Sequence, residues 1–145
     1  IHLRRGDNTN NTNPSTLLNN MYEKGGFYFN YFQKALEVFK NEDLSFLVFS
    51  GGSREGDFNE DDIRWCKDSI GIDALYSQNS TTMQDFSRIM ASDHSIMSHV
   101  SSFGWWAAYL SSGKDKKVVA PNRYHPDLPH FTHREGFFPK DFILV

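Results

Sequence analysis

Apolar and polar positions along the chain follow two alternating patterns, one typical of buried strands and one typical of helices. Short apolar runs bounded by Gly, Ser or Asn predict strands at 1–3, 45–49, 72–76, around 96–97, and at 117–120. Apolar residues three or four positions apart predict helices within 27–40, after Asp61-Asp62, after Ser80 or Thr81, and from Ser101-Ser102 to a stop at Gly113. Residues 8–20, rich in Asn, Thr and Ser, predict a surface loop, and the tail from 122 to 138 has no clear pattern.

The regular alternation of strands and helices predicts an α/β fold in which helices cover both faces of a parallel sheet. Ligands of such sheets bind at the carboxyl ends of the strands, near the helix N-termini. The length of 145 residues fits one domain, 1–145. Residue 1 is Ile, inside a predicted strand, so we expect the chain to be a fragment of a longer protein.

The last predicted helix carries an apolar face of Phe103, Trp106, Ala107 and Leu110. We expect this face, and the Trp105-Trp106 pair with it, to lie in the core, because adjacent large aromatic residues pack there more often than against ligands.

Composition excludes some classes of function. Hydrophobic residues make up 39% of the chain, enough for an ordinary core, and the net charge of −3 argues against a nucleic-acid binder. No apolar run approaches the roughly 20 residues of a membrane span. Cys66 is the single cysteine, so an intramolecular disulfide is excluded, and its place in a helical pattern predicts a buried thiol.

Two arginines directly follow the first predicted strand. A guanidinium binds a phosphate through two parallel, charge-assisted hydrogen bonds, which suits Arg4 and Arg5 to an anionic ligand. Side chains alternate in direction along an extended chain, so one of the two is expected to face the ligand. The alternative for this stretch alone is an exposed basic turn.

The segment Ser101-Ser102-Phe103-Gly104 lies at a strand-to-helix junction. Hydroxyls and unpaired backbone N–H groups at a helix start form an anion site. The alternative is simple N-capping by a serine. Gly104 in the first helical turn permits a close backbone approach.

Asp85 lies one turn into the preceding helix, on a different face from its apolar residues. A carboxylate there can accept two hydrogen bonds from N1 and N2 of guanine, a pair that adenine lacks. The alternative is an ordinary solvated charge on a helix.

Several familiar motifs are missing from the sequence. There is no Asp-x-Asp, no metal-ligand spacing of His or Cys, and no glycine-rich phosphate loop. We therefore expect no metal or other cofactor, with any phosphates neutralised by arginine, hydroxyls and helix dipoles. Sequons at Asn10 and Asn79 predict two glycosylation sites.

Taken together, these motifs resemble the α-1,2-fucosyltransferases of glycosyltransferase family 11. His2-Leu3-Arg4-Arg5-Gly6-Asp7 resembles the His-x-Arg-Arg-x-Asp motif of that family. The further similar segments are Phe46-Leu47-Val48-Phe49-Ser50, Trp65-Cys66-Lys67, Gln84-Asp85-Phe86, Asp93-His94-Ser95-Ile96-Met97, and Ser101-Ser102-Phe103-Gly104-Trp105-Trp106-Ala107-Ala108-Tyr109-Leu110. The likeness covers residues 1–120, and the chain departs from it at Ser50-Gly51-Gly52-Ser53, where many relatives carry acidic residues.

The resemblance implies the C-terminal, Rossmann-like donor half of a two-domain GT-B enzyme that inverts configuration and needs no metal. Its donor substrate would be GDP-fucose and its acceptor a glycan that ends in galactose. The implied site residues are Arg4 at the β-phosphate with His2 and Arg5 supporting it, Asp7 as the base, Asp85 at guanine, and Ser101, Ser102 and Phe103 along the diphosphate and ribose.

The same resemblance leaves two alternatives open, a non-catalytic GDP-binding remnant and a fucosyltransferase of α-1,6 or protein O-linkage. It implies a lumenal domain held at the Golgi membrane by an N-terminal anchor in a eukaryote, and a cytoplasmic enzyme in a bacterium.

Overall fold

The computed structural model describes residues 1–5, 25–51, 60–98, 101–122 and 136–145. Strands and helices alternate along these residues. In chain order they are β1 (His2–Leu3), α1 (Phe27–Glu37), β2 (Phe46–Ser50), α2 (Glu60–Ile70), β3 (Ala74–Tyr76), α3 (Thr82–Ala91), β4 (Ser95–Ile96), α4 (Ser102–Leu110), β5 (Val118–Ala120) and β6 (Ile143–Leu144). Asp7, Asn10 and the predicted loop at 8–20 lie outside the described residues.

The strands form two parallel sheets, β1-β2-β3 and β4-β5-β6. Strands β1 and β4 bring the two sheets together, because Leu3 and Ile96 belong to one buried cluster. Just beyond these strands, the Arg4 N–H donates to Ser98 Oγ at 2.9 Å. Every paired strand is parallel to its neighbour, which confirms the predicted parallel α/β arrangement, and with β1 beside β4 we infer the order β3-β2-β1-β4-β5-β6 across the two sheets.

Helices cover both faces, as the alternating side chains of β2 show. Val48 packs into a cluster with residues of α1 and α2, such as Tyr28 and Cys66. The next residue, Phe49, packs with Ile89 of α3 and Ala107 of α4. Successive residues of a strand point to opposite faces, so α1 and α2 lie on one side and α3 and α4 on the other.

Local signals explain where the helices begin. The capping box of Thr81 and Gln84 opens α3, with the Gln84 N–H donating to Thr81 Oγ1 at 3.2 Å and the Thr81 N–H donating to Gln84 Oε1 at 2.8 Å. The first turn of α2 is acidic, which suits the positive end of a helix. Gly71, with φ of +70°, follows the end of α2 in the left-handed conformation that glycine adopts without strain.

The prediction that α4 turns Phe103, Trp106, Ala107 and Leu110 towards the core is wrong for part of that face. Trp106 and Leu110 are 51% and 48% exposed, whereas Gly104, Ala107 and Ala108 are buried. The cause is close packing: a Cβ on Gly104 would lie 2.5 Å from His2 Nδ1, so only small residues fit on the inner face. Trp105 is partly buried and packs beside Ala108. Of the two adjacent tryptophans, Trp106 is therefore the one that does not lie in the core.

Three smaller differences concern the edges of elements. Helix α4 ends at Leu110 with Ser111 as its cap, before the predicted stop at Gly113. Strand β3 is an edge strand, and Leu75 is 71% exposed, so this strand is not buried on both faces. Strand β6 was not predicted, and it pairs with β5 beside the buried Phe142.

Within the described residues, every helix is too short or too polar to cross a membrane.

Candidate functional site

The carboxyl ends of β1 and β4 meet at the point where the strand order reverses direction. Arg4 follows β1 and Ser98 follows β4, and the hydrogen bond from Arg4 N–H to Ser98 Oγ joins the two chain segments. Ser98 is buried and Arg4 is partly exposed. In open parallel sheets the crevice at this switch point is the usual ligand site.

The N-terminus of α4 lies at the same edge. Ser101 caps the helix, and its buried Oγ accepts a hydrogen bond from the Gly104 N–H at 3.3 Å. The first helical bond runs from the Trp105 N–H to the Ser101 carbonyl at 2.9 Å. In the part of the chain that the structure describes, the N–H groups of Ser102 and Phe103 have no hydrogen-bond acceptor. Ser101 is thus an N-cap, and two backbone donors remain at the positive end of the helix.

Arg5 turns towards α2. Its Nε donates to Asp62 Oδ1 at 3.1 Å, and both side chains are only 12% exposed. The guanidinium carbon also lies 4.0 Å from the ring centroid of Trp65, a cation–π contact. These contacts anchor Arg5, just after β1, against α2.

His2 lies beneath the first turn of α4. The residue as a whole is partly accessible, but its Nδ1 is buried and has no hydrogen-bond partner among the described residues. Burial, together with a smaller contribution from the positive charge of Arg4, lowers the pKa of His2 to about 3. The imidazole is therefore neutral at physiological pH and adds no positive charge to the site.

The Phe103 side chain connects α3 to β1. Its ring centroid lies 5.5 Å from that of His2 and 5.3 Å from that of Phe86. The ring is thus engaged by protein neighbours, so Phe103 presents its backbone N–H, rather than its aromatic face, at the carboxyl edge.

Asp85 of α3 accepts two short hydrogen bonds. The hydroxyls of Ser77 and Ser80, both just after β3, each donate to its Oδ1 at 2.6 Å. Arg88 Nη1 lies 3.6 Å from the same oxygen, and the Asp85 side chain is 23% exposed. Asp85 is therefore a held and partly sheltered carboxylate rather than a freely solvated helix charge.

Sequence reasoning missed the serines that follow the strands. Ser77, Ser80 and Ser98 make hydrogen bonds to Asp85 or to Arg4, yet none was predicted as part of the site. Their common signal is a hydroxyl at the carboxyl end of a predicted parallel strand. Because ligand sites gather at that edge, this position was the available clue.

The remaining predictions concern the glycosylation sites, Asp7 and metal binding. Asn79 is exposed and has a φ of +54° in the turn before α3. The hydroxyl of Thr81, the third residue of its sequon, serves as the helix cap. Asp7 and Asn10 lie outside the described residues. Within the ranges that the structure describes, no group of three His, Cys, Asp or Glu side chains has the arrangement of a metal site.

The parallel strands, the crossover helices on both faces and the strand order define a Rossmann-like α/β fold. The sequence also matches a family of known proteins. The chain belongs to glycosyl transferase family 11, whose family model matches residues 1–143.

Several relatives carry specific names. The chain is 26% identical to galactoside alpha-(1,2)-fucosyltransferase 2 of Oryctolagus cuniculus over 97% of its length and 37% of the relative. It is 31% identical to galactoside alpha-(1,2)-fucosyltransferase 1 of Homo sapiens over 76% of its length and 30% of the relative. It is 25% identical to the O-antigen biosynthesis glycosyltransferase WbnK of Escherichia coli over 86% of its length and 38% of the relative.

The chain thus spans about a third of the length of these relatives, 30–38% for the three just named. No solved structure matches the chain significantly.

Proposed function

We propose that the chain is the donor-binding half, 1–145, of a two-domain GT-B fucosyltransferase. The enzyme would transfer fucose from GDP-fucose to the 2-hydroxyl of a terminal galactose on a glycan, with inversion and without a metal. Support comes from the family and from the relatives named as galactoside alpha-(1,2)-fucosyltransferases. In a eukaryote we place the enzyme in the Golgi lumen.

The observation that carries this proposal is the convergence of cationic and N–H donors at the switch point. Arg4 follows β1, while the N–H groups of Ser102 and Phe103 stand at the start of α4, and the Arg4–Ser98 bond holds the two segments together. A diphosphate between them would receive charge-assisted hydrogen bonds from both sides.

With GDP-fucose bound in this way, transfer of fucose is a single displacement at its anomeric carbon. The acceptor oxygen forms a bond to the anomeric carbon of fucose while the bond from that carbon to the β-phosphate oxygen breaks, and GDP leaves. Negative charge grows on the departing phosphate, where Arg4 and the α4 amides stabilise it. We assign the acceptor proton to Asp7 as general base and the recognition of guanine to Asp85.

The test is Arg4→Ala in the full-length enzyme, with transfer from GDP-fucose measured on a galactose-terminated acceptor. We expect turnover to fall by about 100-fold or more, as when a donor to a developing charge is removed, with unchanged circular dichroism. The matched control is Arg64→Ala, since Arg64 is 70% exposed and pairs only with the neighbouring surface residue Asp61 among the described residues. Wild-type turnover in the Arg4 variant would refute the role.

A second candidate is a non-catalytic GDP-binding remnant, favoured by the departure from the family pattern at Ser50-Gly51-Gly52-Ser53. Calorimetric titration with GDP, beside a transfer assay, separates the two: binding without turnover supports the remnant. Linkage analysis of any product distinguishes transfer to the galactose 2-hydroxyl from α-1,6 or protein O-linked transfer.

A further inference from the structure

The serines after β3 form a small network with the carboxylate that we assign to guanine. Ser77 Oγ and Ser80 Oγ both donate to the same oxygen, Asp85 Oδ1, at 2.6 Å each. Arg88 Nη1 donates to Ser77 Oγ at 3.0 Å. The two serine hydroxyls also lie 2.9 Å from each other, so Arg88, Ser77, Ser80 and Asp85 form one connected network.

We propose that Ser77 and Ser80 are positioning residues that orient the Asp85 carboxylate for the base and thereby set the selectivity for guanine. This inference rests on the proposed function, in which Asp85 binds guanine. Neither serine needs to touch the nucleotide, since each acts through Asp85.

The acceptor capacity of the carboxylate supports this role. An ionised carboxylate has about four lone-pair sites, two on each oxygen. The serines use two of them, both on Oδ1. Among the described residues Oδ2 accepts no hydrogen bond. Oδ2 therefore remains open to a donor from the base.

The two serines also supply an orientation that Asp lacks by itself. The terminal torsion of an Asp side chain is broad, so a partly exposed carboxylate rotates unless its neighbours hold it. Two donors on one oxygen fix the plane of the group. The Arg88 side chain is 48% exposed and lies one turn along the same helix, so without the serines it would draw the carboxylate towards itself.

The test compares GDP with inosine diphosphate, which differs only in lacking the N2 amino group. Dissociation constants for both are measured by calorimetry on the wild-type protein, on Asp85→Asn and on the double variant Ser77→Ala/Ser80→Ala. We expect the wild type to prefer GDP by about tenfold or more and the double variant to lose most of that preference, because hydrogen bonds to a charged group are strong. Thermal melting checks that each variant is folded, and Ser80→Ala alone replaces the double variant if that one does not fold.

Two controls isolate the hydroxyls. Ser80→Thr keeps a donor and should retain the preference for GDP. Ser87 lies in α3, as Asp85 does, and its hydroxyl donates to the Met83 carbonyl at 2.8 Å. Ser87→Ala removes this hydroxyl and should leave the preference for GDP unchanged.

The outcomes separate this inference from the function on which it rests. If Asp85→Asn abolishes the preference but the serine variants keep it, the positioning role is wrong and the guanine assignment stands. If the wild type shows no preference, or Asp85→Asn retains it, the assignment of Asp85 to guanine is itself wrong.

Discussion

The contact between His2 and Gly104 sets how closely α4 approaches β1. A Cβ on Gly104 would lie 2.5 Å from His2 Nδ1 and 3.2 Å from its Cε1. The imidazole packs against the Phe103 ring, with the two ring centroids 5.5 Å apart. We expect Gly104→Ala to lower the free energy of unfolding by about 1–3 kcal/mol, the usual range for overpacking, as measured by urea denaturation.

A double-mutant cycle supplies the control for this contact. In a His2→Ala background the obstructing ring is gone, so the additional effect of Gly104→Ala should shrink towards zero. An equal loss of stability in both backgrounds would show that the strain comes from elsewhere.

His2 also makes stability depend on pH. Burial lowers its pKa to about 3 in the folded chain, whereas an unfolded histidine has a pKa of about 6.5. Between these values the unfolded state binds a proton that the folded state does not, so stability falls as the pH drops below 6.5. We expect His2 to account for a loss of about 2 kcal/mol between pH 7 and pH 5.

The measurement is urea denaturation at both pH values for the wild type and for His2→Gln. The variant should lose less stability on acidification, because its side chain does not titrate. Identical pH dependence in the two proteins would contradict a buried, neutral His2.

For single residues, the direction of a side chain could be predicted from the sequence, but its partner could not. Arg4 and Arg5 were expected to face different ways because strand residues alternate. The partner of Arg5 was not predictable, since Asp62 lies 57 positions away and only the packing of α2 brings it near. The hydrogen bonds from Ser77 and Ser80 to Asp85 were likewise not predictable, because they depend on the turn between β3 and α3.

At the scale of elements, Tyr31 ties α1 to both strands of the β4–β5 pair. Its hydroxyl is buried and lies 2.8 Å from the Met97 carbonyl and 3.0 Å from the Val119 carbonyl. Tyr31→Phe removes the shared donor and should lower the free energy of unfolding by about 1–3 kcal/mol.

The control for this prediction is Tyr109→Phe on α4, because Tyr109 is 48% exposed. Urea denaturation of both variants provides the comparison. Equal stabilities for Tyr31→Phe and the control would mean that the buried hydroxyl contributes nothing to the docking of α1.

Elements with strong local signals were predicted well, and those that depend on tertiary packing were not. The start of α3 was predicted at Ser80 or Thr81, and the structure selects Thr81. The inner face of α4 was mispredicted, because the limit on residue size comes from His2 across the sheet. Strand β6 has only two residues, so its pattern is too short to stand out in sequence, and it exists because β5 offers an edge.

At the scale of the whole molecule, strand order is what brings the candidate residues together. Between β3 and β4 the chain crosses to the other side of β1, so β1 (His2–Leu3) and β4 (Ser95–Ile96) lie side by side although they are far apart in sequence.

 The parallel sheet and its helices were predictable from the pattern of apolar runs. The crossing was not, because no local signal states which strands become neighbours.

The same arrangement places the two halves of the candidate site on segments that are distant in sequence. Arg4 follows β1, and the N–H groups of Ser102 and Phe103 belong to the start of α4. The hydrogen bond between Arg4 and Ser98 is the link that fixes their separation. A diphosphate that lies in this crevice is the central claim for the molecule as a whole.

The most direct measurement is a crystal structure of the protein with GDP bound. We predict that the diphosphate lies at the carboxyl edge of β1 and β4, with phosphate oxygens within about 3 Å of the Arg4 guanidinium and of the Ser102 and Phe103 N–H groups. A GDP molecule bound away from this edge, or a crevice that stays empty at saturating GDP, would contradict the account.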